Sequence, residues 1–77
     1  MWKEENNKLT REFQFKNFAL ALEFVNKVGN VAEEIGHHPE IWFTWGRVII
    51  SITTHDAENT VTKKDFELAS RIDELIL

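Results

Sequence analysis

A chain of 77 residues, 43% hydrophobic and 29% charged, describes one small globular domain spanning residues 1–77, and its formal charge of −4 offers nucleic acid no basic face. The absence of cysteine excludes a disulfide framework, and no apolar run approaches the ~20 residues that cross a bilayer. A domain this short buries only roughly 60% of the surface its unfolded chain exposes. Self-association is therefore expected, and the polar N-terminus "MWKEENNKL" lacks a signal-peptide pattern, which points to the cytoplasm.

The first regular signal is "LTREFQF", residues 9–15. Leu9, Arg11, Phe13 and Phe15 alternate with Thr10, Glu12 and Gln14, the period of a half-buried strand with Arg11 at its rim. The turn formers in "EENNK" connect it to a short strand around Trp2. Asn17 then has the character of a helix N-cap. From there Phe18, Ala21, Leu22, Val25, Val28, Ala32 and Ile35 recur at spacings of three and four, the mark of one buried helical face, which Gly36 closes.

"PEIWFTWGRVIISITTH" is the densest β-forming segment, and Gly46–Arg47 predicts a tight reversal within it. Val48, Ile50 and Ile52 share one face of the second strand. Ile49, Ser51, Thr53 and His55 share the other, which sets His55 off the core side. Ile41, Phe43 and Trp45 alternate with Trp42 and Thr44, so at least one aromatic residue is left for a pocket or a subunit contact. After the loop "DAENTV", Thr62 and Asp65 have capping-box spacing. The last helix is expected to turn Phe66, Ala69, Ile72 and Ile76 inward, leaving Leu68 and Leu75 as a second apolar strip for another subunit. The order strand, strand, helix, strand, strand, helix predicts an α+β domain: a four-stranded antiparallel sheet with both helices on one face.

The chemistry-bearing residues are three histidines. His37 and His38 stand beside each other before Pro39, and His55 lies at the far end of the hairpin segment, with Glu33, Thr53 and Asp65 as polar neighbours in the pattern. Imidazole gives and takes protons near neutral pH, and a carboxylate that hydrogen-bonds it fixes its tautomer. Two plainer readings stand beside this one. Surface histidines at a helix C-terminus interact favourably with the helix dipole, and a metal site is conceivable, although adjacent histidines in an extended segment point to opposite sides. The chain has no P-loop, dinucleotide glycine fingerprint, cysteine nucleophile or serine elbow.

The spaced set Glu33, His37-His38-Pro39, Trp45, His55 and Asp65 resembles the signature of the pterin-4a-carbinolamine dehydratase family, and the likeness extends over residues 9 to 76 through "FQFKNF" and "ITTHDAENTVTKKDFELAS". The resemblance implies a hydro-lyase that converts 4a-hydroxytetrahydropterin to quinonoid dihydropterin and water. The pterin would be the substrate, with no cofactor and no metal, in recycling coupled to an aromatic amino acid hydroxylase. By position, His37 and His55 match the acid catalysts and His38 the substrate-holding histidine. Glu33 and Asp65 match the orienting carboxylates, and Thr53 falls where pterin contacts occur, with Pro39 and Trp45 inside the same signature. Trp45 stands where many relatives have tyrosine. Trp2 is a further candidate for the pocket wall, and the extra N-terminal helix of longer members is not seen. The resemblance further implies a homodimer or homotetramer. It also keeps open a second class of function, a protein-interaction module acting as a transcriptional dimerisation cofactor or an assembly factor, without direct nucleic-acid or membrane binding.

Overall fold

Strands β1 (Lys3–Glu5) and β2 (Lys8–Gln14) form a hairpin around Asn6 and Asn7, which adopt left-handed φ values of 51° and 63° in the computed structural model, which describes residues 1–76. Helix α1 (Phe18–Ile35) follows, then strands β3 (Glu40–Thr44) and β4 (Arg47–Ile52), a short 3-10 turn (His55–Ala57) and helix α2 (Lys63–Glu74). The four strands make one antiparallel sheet in the order β1-β2-β4-β3. The long connection through α1 lets the β3–β4 hairpin dock beside β2. The expected α+β architecture, with both helices against one face of the sheet, is the one observed.

Register explains the core. Pairing of Leu9 with Ile52, Arg11 with Ile50 and Phe13 with Val48 aligns the apolar alternation of β2 and β4 on the helix-covered face. Val48, Ile50 and Ile52 have no solvent exposure there. Arg11 lies mid-strand on this same face, its side chain 22% exposed. Its guanidinium lies 4.6 Å from the Phe13 ring centroid and donates to Asp73 at 2.7 Å, an acceptor it shares with the Trp2 indole N–H at 2.9 Å.

Local signals set both ends of α1. The Asn17 side chain accepts from the Leu20 N–H at 2.9 Å, and Gly36, left-handed at φ 74°, donates its N–H to the Ala32 carbonyl at 2.9 Å. The buried stripe between them is rotated from the expected one. Ala21, Phe24, Val28, Val31 and Ala32 are buried, whereas Phe18 and Leu22 are exposed. Apolar residues lie on several sides of this helix. The buried side is the one whose Phe24 ring centroid lies 4.8 Å from that of Phe13 and 5.0 Å from that of Phe15, within the aliphatic core.

Two further expectations are corrected. In α2 the inward residues are Asp65, Leu68, Ala69 and Ile72, while Phe66 and Ile76 are 55% and 42% exposed. Leu68 is thus core and not a subunit strip, because it shares one helical stripe with Asp65 and Ile72. The β3–β4 reversal falls at Trp45–Gly46, one residue earlier than expected, with Thr44 paired to Arg47. Gly46 is required there, since a Cβ would meet the Phe15 carbonyl oxygen at 2.7 Å. No helix is long and apolar enough to cross a membrane among the described residues.

The corrected α2 face predicts unequal costs. Leu68→Ala should lower unfolding free energy by about 2–5 kcal/mol and Phe66→Ala by about 0.5 kcal/mol or less, measured by urea denaturation. Equal losses would show that the two residues share the core.

Candidate active site

The left-handed cap at Gly36 ends α1 sharply, and His37 donates its own N–H to the same Ala32 carbonyl at 3.2 Å. His37 is thereby turned under the helix end, its side chain only 13% exposed. Its Nε2 donates to Asp65 Oδ1 at 2.7 Å. Asp65 has no solvent exposure and occupies the third position of α2, where its other oxygen accepts from the Thr62 N–H at 2.7 Å, the reciprocal arm of a capping box. The Thr54 hydroxyl donates to that same Oδ2 at 2.7 Å.

Burial pushes the Asp65 carboxyl up. The bonds from His37, Thr54 and the Thr62 backbone, with the positive charge available on His37, pull it down further, and the result lies below the 3.8 of an ordinary aspartate. Asp65 is therefore ionised at neutral pH and can only accept, so His37 carries its proton on Nε2. Its Nδ1 has no hydrogen-bond partner among the described residues.

The other two histidines are held differently. His38 Nε2 pairs with Glu33 Oε2 at 2.5 Å, five residues back along the helix end, with both side chains mostly exposed. His55 lies beyond the end of β4, in the 3-10 turn, so strand parity does not position it. Its Nδ1 is 2.6 Å from Asn59 Oδ1, a carbonyl oxygen that only accepts. A neutral His55 held by this acceptor carries its proton on Nδ1.

All three imidazoles line one open cleft of about 420 Å³, together with Gly36, Pro39, Glu40, Thr53, Thr54, Asp56 and Lys64. Its size suits a small heterocycle. His37, His38, Pro39, Thr53 and His55 from the expected set meet here. Asp65 and Glu33 stand behind their histidines and do not line the cleft. Thr53 also donates its hydroxyl to the Asn7 carbonyl at 2.8 Å, tying the first hairpin to the cleft wall. Trp45 is not brought in: it is 67% exposed in the turn at the other end of the β3–β4 hairpin. Trp2 packs edge-on against Phe13, away from the cleft lining. Sequence reading missed Thr54, Asn59 and Lys64. Thr54 adjoins His55 and Lys64 adjoins Asp65, but only the folded chain brings them to the cleft or to its carboxylate. Among the described residues, no three His, Cys, Asp or Glu side chains are grouped to hold a metal.

Because folding depresses the Asp65 carboxyl, its contribution to stability is complete above the unfolded-state value and is lost as pH falls through the lower folded-state value. Asp65→Asn should cost about 1–3 kcal/mol at neutral pH, and this deficit should shrink as pH drops below about 4. Urea midpoints of both proteins from pH 7 to pH 2 check this. A deficit constant over that range would contradict it.

The family model described as Pterin 4 alpha carbinolamine dehydratase matches residues 1–75. A Sulfolobus acidocaldarius protein named "Putative pterin-4-alpha-carbinolamine dehydratase" is 46% identical over 74 residues, covering 96% of this chain and 80% of that protein. A Chloroflexus aggregans protein of the same name is 48% identical over 73 residues, 95% of this chain and 77% of that one. Among solved structures, a transcriptional coactivator/pterin dehydratase from Brucella melitensis superposes with a TM-score of 0.87 at 33% identity, over 95% of this chain and 79% of that one. A pterin dehydratase-like RuBisCO assembly factor of the alpha-carboxysome shares the fold, with a TM-score of 0.78 at 24% identity over 97% and 86% of the two chains. The matched family model and these identities, on a chain whose three histidines line one cleft, make this protein a member of the pterin-4-alpha-carbinolamine dehydratase family.

Proposed function

We propose that this chain dehydrates a 4a-hydroxytetrahydropterin to quinonoid dihydropterin and water, with the pterin as substrate and no cofactor, in the recycling of a pterin used by an aromatic amino acid hydroxylase. One observation carries the reading. His37, backed by the buried Asp65 carboxylate, lines the same cleft as His38 and His55, which reach it from the two ends of the β3–β4 hairpin.

The reaction is slow unassisted because hydroxide leaves poorly. Protonating the 4a-oxygen lets the C4a–O bond break with loss of water. The lone pair of the neighbouring ring nitrogen forms the new C=N bond, and a base takes the proton which that nitrogen sheds. A positioned acid or base contributes typically ~10²–10⁴-fold to such a step. In this reading His37 and His55 serve the proton transfers, His38 steadies the ring with Glu33 behind it, and Pro39 and Thr53 complete the cleft wall.

A second reading, a protein-interaction module, draws on edge strand β3 and the turn after it, where Ile41, Trp42 and Trp45 are exposed, and on the coactivator role named for the Brucella melitensis relative. Catalysis separates the two. Stopped-flow ultraviolet spectroscopy of freshly generated 4a-hydroxytetrahydropterin should show dehydration accelerated by the wild type. His37→Ala, folded by circular dichroism, should lose about 10²-fold or more of that acceleration. A folded wild type no faster than buffer would reject the enzyme and leave the interaction module.

A further inference from the structure

Dehydration needs one group that gives a proton and one that takes a proton, and the two histidines assigned to it have unlike partners. His37 Nε2 faces a carboxylate with no solvent exposure. His55 Nδ1 faces the side-chain carbonyl of Asn59 at 2.6 Å. An amide oxygen holds one imidazole proton but has no net charge to offset a second. With Nδ1 protonated and engaged, Nε2 keeps its lone pair, and no described residue bonds to it.

We infer that Asn59 is a positioning residue that locks His55 in its Nδ1–H tautomer. Nε2 of His55 is then the base that accepts the proton shed by the pterin ring nitrogen, while His37, as an imidazolium balanced by the Asp65 carboxylate at Nε2, delivers its second proton from Nδ1 to the departing hydroxyl. The inference rests on the dehydratase reading and departs from the family resemblance at one point, making His55 a base where the resemblance implies an acid.

The loop around Asn59 supports this role. Glu58 and Asn59 are both left-handed, with φ of 60° and 59°, a conformation that glycine adopts more easily than either. Backbone bonds hold that shape without the Asn59 side chain. Thr54 donates to the Thr60 carbonyl at 3.0 Å, Ala57 to Thr54 at 3.1 Å and Glu58 to His55 at 3.1 Å, while the Thr60 hydroxyl donates to the Ala57 carbonyl at 2.6 Å. The asparagine side chain is thus not what closes the loop. The contact that distinguishes it from glycine is the one to His55.

The test uses the full chain. Imidazole ¹⁵N–¹H correlation spectra should show His55 as the Nδ1–H tautomer in the wild type. Asn59→Gly should return it to the Nε2–H form favoured by free imidazole, with an undiminished urea midpoint, kcat lowered by about tenfold or more and KM little changed. Asn59→Asp places a carboxylate on the ring, favours the imidazolium, and should move the acidic limb of the rate profile to higher pH. The other charged groups of the cleft, Asp56, Glu40 from β3, Lys64 from α2, His37 and His38, are common to all three proteins, so the displacement reports residue 59. A wild-type His55 in the Nε2–H form, or an Asn59→Gly protein with unchanged tautomer and kcat, would overturn the inference. The spectra are read without turnover, so absence of dehydratase activity would remove the proposed reaction yet leave the grip of Asn59 on the ring separately decided.

Discussion

The Asp65 carboxylate has no solvent exposure, and an ion in that position is tolerated only where donors replace its lost water. Three segments supply them: His37 just past the end of α1, Thr54 just past the end of β4, and the Thr62 backbone at the start of α2. One side chain therefore fixes the relative placement of both helix termini and the exit of the central strand. It also fixes a histidine of the cleft. The residue that organises this end of the fold and the residue that orients His37 are the same, so stability and orientation of the imidazole cannot be varied independently at this position.

Much of the scaffold was legible in the sequence because it rests on local physics. The alternation of β2 and β4, the Asn17 cap, the Gly36 terminus and the Thr62–Asp65 box depend on neighbours within a few residues, and each is found where the pattern places it. The helix faces were read less well. α1 has apolar residues on several sides, and the face that is buried is set by tertiary packing, with Phe24 against the Phe13 and Phe15 rings. In α2, Leu68 shares a stripe with a charged residue, Asp65, and a buried aspartate runs against the usual rule that charge marks the outer face.

Site legibility divides in the same manner. The histidine pair, Pro39 and His55 converge because the hairpin returns the chain to its starting end. Trp45 belongs to the linear pattern, yet it lies in the turn. The five residues of β3 span roughly 3.3 Å each, which carries Trp45 well away from the cleft. Asn59 gave no signal, since its contact with His55 depends on two consecutive left-handed residues in an irregular loop. The sheet face opposite the helices is distinct again. Arg47 lies 5.2 Å from the Trp42 ring centroid and pairs with Glu12. A fold can host separate functions on separate surfaces, and the cleft chemistry does not use Trp42 or Arg47.

The most direct test of the central claim, that the histidine cleft is where a pterin binds, is a heteronuclear NMR titration of the full chain with a stable dihydropterin. The account predicts saturable shifts at residues 36–39 and 53–56, with the hairpin turn at residues 44–47 unmoved. Saturable shifts confined to the turn and the open sheet face, with residues 36–39 silent, would contradict it.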